Sequence, residues 1–273
     1  EIIRTSSSNN KKKDKENEIF YWSEGTIAIG RIGDTSISST KTIETDAITF
    51  GADKLTKNNG IKGLAFRLGR NNVDVGNNGS NLDGDTYNIT FYSTSPIEDD
   101  SKFVDTVIGI GKLRSDLLTV VDGNHLTADR NGDQLYGSLK IKDEIKKDNL
   151  TFIPSGRIDI GHTILRSYKE SGIGAIEARK QHVNSKKIRA GLVAVEDLSY
   201  ESFKLKRYGK LEYIADIDRS SNFKYNYVED TSTTFNTRFH SGALHNLNGE
   251  IGIDLVFTNN FSLFLIYERK QSL

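Results

Sequence analysis

A side-chain pattern of period two, repeated in segments of roughly ten residues, constrains this chain more than any other feature. Ile61–Tyr92 shows it most clearly. Leu64, Phe66 and Leu68 share one face of an extended segment, and Gly63, Ala65, Arg67 and Gly69 share the other. Further on, Tyr87, Ile89 and Phe91 oppose Asn88, Thr90 and Tyr92. Asn71–Asp83, rich in Asn, Gly and Asp, is expected as the long loop between the two strands.

The pattern recurs to the end of the chain. It predicts strands over Ile19–Ile32, Asp46–Lys54, the pair above, Phe103–Leu113, Gln134–Lys142, Leu150–Leu165, Lys187–Val195, Tyr208–Ile217, Asn248–Phe257 and Phe261–Arg269. Two prolines in the whole chain suit long uninterrupted strands. Hydrophobic content is only 36%, so apolar residues are used one face at a time.

Connections alternate in length. Leu55–Gly60, Ser93–Lys102, Asp143–Asn149, Glu196–Arg207 and Thr258–Asn260 are short; those at the other end, such as Arg114–Asp133 and Asp218–Leu247, are long and polar. This places all short turns at one end of an all-β, up-and-down antiparallel sheet, the anatomy of a transmembrane β-barrel of the outer membrane. A soluble lipocalin-like barrel would carry its apolar face inward and close at about eight strands. Eleven strands is an odd number, whereas single-chain bacterial barrels are even. Twelve are therefore expected in the parent protein, with the last one absent from 19–273.

In such a barrel Glu24, Asp53, Arg67, Asp105, Lys140, Arg157, Asp159, Arg189, Lys210, Glu212, Asp216, Glu250, Asp254 and Glu268 are expected to line the pore. Ile48, Phe50, Leu64, Phe66, Leu68, Ile89, Phe91, Ile108, Ile110, Ile158, Ile160, Leu211, Tyr213, Ile253, Leu255, Leu263, Leu265 and Tyr267 are expected to face lipid. Tyr21, Trp22, Tyr87, Phe91, Tyr208 and Tyr267 are candidates for interfacial aromatic girdles.

Lys+Arg and Asp+Glu balance at 37 each, which gives no support for a nucleic-acid partner. With no Cys, disulfides and thiolate metal sites are excluded. With no Met, the chain is expected to be an internal piece of a longer protein. No secretory signal and no run of about 18 apolar residues is present, and a β-barrel needs neither a helix nor such a run. Residues 1–18, with Lys11, Lys12, Lys13 and Lys15, read as a flexible polar linker.

Catalytic signals are weak. His240 and His245 share a long loop without companions at metal spacing, so no metal or cofactor is expected. His162 stands near Asp159 with Ser167 following, but no nucleophile elbow accompanies them, and a barrel-embedded hydrolase is disfavoured. Asp74–Asp83 is oxygen-rich yet lacks the terminal Glu of a calcium loop. Asn131-Gly132 is expected to mark a tight turn.

Several short motifs, in order, carry a family resemblance. They are Tyr21-Trp22-Ser23-Glu24-Gly25, Phe50-Gly51-Ala52-Asp53, Gly63-Leu64-Ala65-Phe66, Asn72-Val73-Asp74-Val75, Asp105–Gly111 and Tyr168-Lys169-Glu170-Ser171-Gly172. Together they resemble the C-terminal β-domain of autotransporters, the type V secretion translocator, over 19–273. The resemblance implies a twelve-stranded outer-membrane barrel that anchors an N-terminal passenger and exports it to the bacterial surface. It implies outer-membrane lipid and the barrel assembly machinery as partners, a helical linker in the pore, and no catalytic activity of the barrel itself. A stand-alone porin-like channel is the alternative. The aromatic terminal strand of the family is missing here, and Asn9-Asn10 lacks the setting of the self-cleaving members.

Overall fold

A computed structural model describes residues 19–33, 39–97, 101–218, 220–240, 242–257 and 261–273. The expected linker over 1–18, Asn9-Asn10 included, and the turn at 258–260 lie outside the described residues. In chain order the strands are β1 (Ile19–Ile32), β2 (Lys41–Leu55), β3 (Ile61–Val75), β4 (Ser80–Pro96), β5 (Lys102–Val121), β6 (Asn124–Asp143), β7 (Ile145–Lys147), β8 (Leu150–Leu165), β9 (Tyr168–Lys169), β10 (Ile176–Ala178), β11 (Gln181–Ser199), β12 (Phe203–Asp218), β13 (Ser220–Tyr227), β14 (Phe235–His240), β15 (His245–Phe257) and β16 (Ser262–Ser272).

Eleven of them form one antiparallel sheet in the order β1-β2-β3-β4-β5-β6-β8-β11-β12-β15-β16, with β7 paired to β8. The sheet curls into a nearly closed barrel. Among the described residues its two edges, β1 and β16, are each paired on one side only. Pro154 fits this ladder despite lacking a donor. Pairing of β6 with β8 stops at Ser155 and that of β7 with β8 begins at Phe152, so on that side of β8 no residue is paired to Pro154, which faces Leu192 of β11 on the other.

At one end the strands run well beyond their expected limits. Asn71–Asp83 is not a loop: β3 and β4 stay paired to Val75↔Ser80, and the turn is confined to Gly76–Gly79, where both terminal glycines have positive φ. Arg114–Asp133 is likewise strand, closed by Asp122-Gly123 with φ of 49° and 79°. Both residues are left-handed, as in the two-residue hairpin turn whose twist matches its strands. Asn131-Gly132 therefore makes no turn and lies within β6, opposite Arg114 and Leu113. The expected turn signal lost to Asp122-Gly123 because only one site per hairpin can reverse the chain.

The remaining long loops are also partly ordered as strands. β9 and β10 from 166–180, with β13 and β14 from 219–244, make a second sheet in the order β14-β13-β10-β9. Its aromatic face carries Tyr225 stacked on Phe235 (5.3 Å between centroids), with Phe223 beside Phe239. The Arg130 guanidinium lies 5.0 Å from the Tyr168 ring and 5.9 Å from Phe223. Gln181 donates to the Ser221 hydroxyl at 2.9 Å and ties this sheet to the barrel wall. Burial raises the Glu170 carboxyl above the usual range, opposed by a hydrogen bond from the Ile176 amide at 3.0 Å.

Candidate functional site

Strand register decides which side chains share a face. Asp105 lies opposite Lys140, Lys140 opposite Arg157, and Arg157 opposite Arg189. Lys210 lies opposite Glu250, and Glu250 opposite Glu268. With alternation along each strand, Glu24, Asp53, Arg67, Asp159, Glu212, Asp216 and Asp254 join them on one face. The apolar set falls on the other. Phe50, Phe66, Ile89 and Ile110 form one cross-strand row, and Leu64, Phe91 and Ile108 form the next.

Burial is inverted relative to a water-soluble protein. Asp53, Glu212, Asp216 and Asn248 are only 2–6% exposed, whereas Leu64, Ile108 and Ile160 are 54–58% exposed. Polar groups bury themselves only where they find partners, and here they find them across strands. Arg157 Nε donates to Ser138 at 2.9 Å and to Asp159 at 2.6 Å. Arg189 bridges Asp159 (2.6 Å) and Glu212 (2.9 Å). Lys210 sits 3.8 Å from Glu212 and 3.4 Å from Glu250, which also accepts from the Tyr208 hydroxyl at 2.6 Å. One charge-alternating network thus crosses β6, β8, β11, β12 and β15. Lys187 with Asp216 (3.5 Å) and Lys142 with Asp105 (3.6 Å) flank it.

The opposite wall uses neutral donors and aromatic rings. Trp22 Nε1 donates to Asp53 at 3.1 Å and to the Tyr92 hydroxyl at 3.0 Å, and that hydroxyl donates to Asp53 at 2.8 Å. Arg67 donates to Thr49 at 3.3 Å. Glu24 and Glu268 stand on the edge strands, bonded to Thr26 and Asn248 respectively. Trp22 and Tyr208, candidates for interfacial girdles, therefore lie on the charged face, because their N–H and O–H groups reach the Asp53 and Glu250 carboxylates there. Tyr21, Tyr87, Phe91 and Tyr267 are on the apolar face.

Four aromatic rings on the charged face lie flat over a glycine of the neighbouring strand: Trp22 over Gly51, Tyr92 over Gly63, Tyr136 over Gly109 and Tyr208 over Gly252. A Cβ on Gly252 would lie 2.3 Å from the Tyr208 ring and 2.8 Å from the Leu265 carbonyl oxygen. The backbone oxygen cannot step aside. Gly252→Ala will destabilise the fold by about 1–3 kcal/mol, read from the urea midpoint. Gly249→Ala on the same strand has open space around its Cβ and serves as the control.

Sequence reasoning assigned the charged residues to a face but missed Trp22, Tyr92, Tyr136, Lys142, Lys187 and Tyr208 as members of the bonded set. A tyrosine or tryptophan opposite a glycine in the ladder was the signal available for the aromatic ones. Among the described residues no group of three or more His, Cys, Asp or Glu converges as a metal site.

Comparisons with known proteins agree with this architecture. The family model described as autotransporter beta-domain matches residues 21–268. A search of curated proteins found no match. Among solved structures, the chain is similar to the translocator domain of the autotransporter NalP from Neisseria meningitidis, with a TM-score of 0.68 and 14% identity, covering 93% of this chain and 81% of that one. It is also similar to the β-domain of the Bordetella autotransporter BrkA (TM-score 0.59, 14% identity, 93% and 90% covered). The transport unit of AIDA-I from Escherichia coli matches with a TM-score of 0.52 and 12% identity, over 97% and 88%. Domains of this family are transport domains of type V secretion and reside in the bacterial outer membrane. The chain belongs to the autotransporter β-domain family.

Proposed function

We propose that this barrel exports an N-terminal passenger to the cell surface and anchors it there, with the charged face lining the lumen and the apolar face meeting lipid. The inverted burial carries the reading. A belt of half-exposed Leu, Ile and Phe is unstable against water at this extent and fits hydrocarbon. The polar network on the other face leaves a hydrophilic wall for a passing chain. β1 begins beside the short turns, since Ile19 pairs with Lys54. A passenger upstream of it must cross the lumen to reach the long-hairpin end. β1 and β16 run in the same direction, so one further strand, antiparallel to both, closes the ladder. Insertion of such a barrel calls on the barrel assembly machinery.

The test replaces the sequence upstream of Ile19 with a small reporter domain and expresses the fusion in cells that assemble outer-membrane barrels. Reporter cleavable by external protease, alongside a folded barrel, is the expected result. A folded barrel that keeps its reporter in the periplasm, with a constitutive open-pore conductance, would reject export and favour a porin-like channel.

A further inference from the structure

We propose that His162 on β8 and His182 on β11 form a two-histidine clasp for a borderline divalent transition ion, of the Zn2+, Ni2+ or Cu2+ class, at the base of the second sheet. The two strands are neighbours, and register places His162 opposite Asn184 and His182 opposite Ile164. All four residues share the outward face, at the long-hairpin end of the wall. The imidazole centroids are 5.5 Å apart, with ring planes 32° from parallel. Two imidazoles bound to one ion at about 2.0–2.1 Å per nitrogen, with angles near 90–110°, have centroids roughly 4.5–5.2 Å apart. The observed separation exceeds that range by a few tenths of an ångström.

The tautomer suits a ligand. His162 Nδ1 is 2.7 Å from Asn184 Oδ1. That oxygen has no proton, so Nδ1–H donates and Nε2 keeps its lone pair outward. A hydrogen-bond acceptor behind a ligating imidazole fixes its tautomer and orientation in metal sites, and the Asn184 oxygen takes that place here. Imidazole favours Zn, Ni and Cu over the oxygen-seeking cations, and water completes the coordination of a two-ligand site. Two of the neighbouring cations on this face are already paired. Arg166 pairs with Asp133 at 3.0 Å, and Lys186 with Asp218 at 3.6 Å.

Position gives the clasp a consequence. His162 and His182 flank the connection from Leu165 to Gln181, which carries β9 and β10. An ion held by both closes the stem of this loop and stabilises its sheet by mass action.

The experiment titrates ZnCl2, and separately NiCl2, into the untagged chain folded in detergent, by calorimetry, with heat-modifiable gel mobility confirming that each variant is folded. One equivalent binding in the micromolar range is expected, with His162→Gln and His182→Gln each weakening it about tenfold or more. Bound ion should also slow proteolysis within 166–180, and neither variant should show this protection. Wild-type binding no tighter than that of the His162→Gln/His182→Gln double variant would overturn the clasp. So would binding that both single variants retain, since it would belong to other histidines.

Discussion

Arg189→Met will destabilise the folded barrel by about 3 kcal/mol, the lower end of the range for breaking a buried ion pair. Among the described residues Arg189 alone bonds both Asp159 and Glu212, and it joins β11 to β8 and β12 at once. Their carboxylates are 16% and 7% exposed, so water restores little of what the guanidinium supplied. Arg157 still serves Asp159, but Lys210 is 3.8 Å from Glu212 and shared with Glu250. The loss should therefore concentrate at β11–β12. Urea unfolding in lipid vesicles, followed through the single tryptophan Trp22, measures it. Adding Glu212→Gln to Arg189→Met should recover much of the loss, because the stranded charge is then gone. A loss below about 1 kcal/mol would mean that lumen water screens the network as it does a surface pair.

Ile89→Arg will cost about 2–4 kcal/mol in the same assay, the range for a cation near the bilayer midplane on the lipid side of a barrel. Ile89 is 53% exposed, flanked along β4 by Tyr87 and Phe91 and across the ladder by Phe66 and Ile110. No acid lies among these neighbours to accept the charge. Gln134→Arg on the polar face, beside Thr163, should be far milder. Equal costs at the two positions would contradict the assignment of faces to lipid and lumen.

Much of this architecture was legible because side-chain alternation is a property of each strand alone. Leu64, Phe66 and Leu68 share a face whatever lies beside β3, and so do Lys210, Glu212 and Asp216 on β12. Errors arose where two parts of the chain compete or meet. Asn131-Gly132 has good turn chemistry, yet Asp122-Gly123 also has it, and the reversal happened where the paired arms on both sides were longest. The polar stretches 166–180 and 219–244 read as loops because their strands are short and find partners far away in sequence, Ile176 with Tyr227 among them.

The period of two, the paucity of proline and the alternating connections by themselves determined an antiparallel barrel with one charged and one apolar face. Only the tertiary structure decided that Arg189 bridges Asp159 and Glu212, that Trp22 and Tyr208 turn toward Asp53 and Glu250, and that His162 meets His182. Those pairings depend on the register between strands. Register is a relation between segments tens of residues apart, set by hairpin turns and by rings that fit only over glycine, and no single strand contains it.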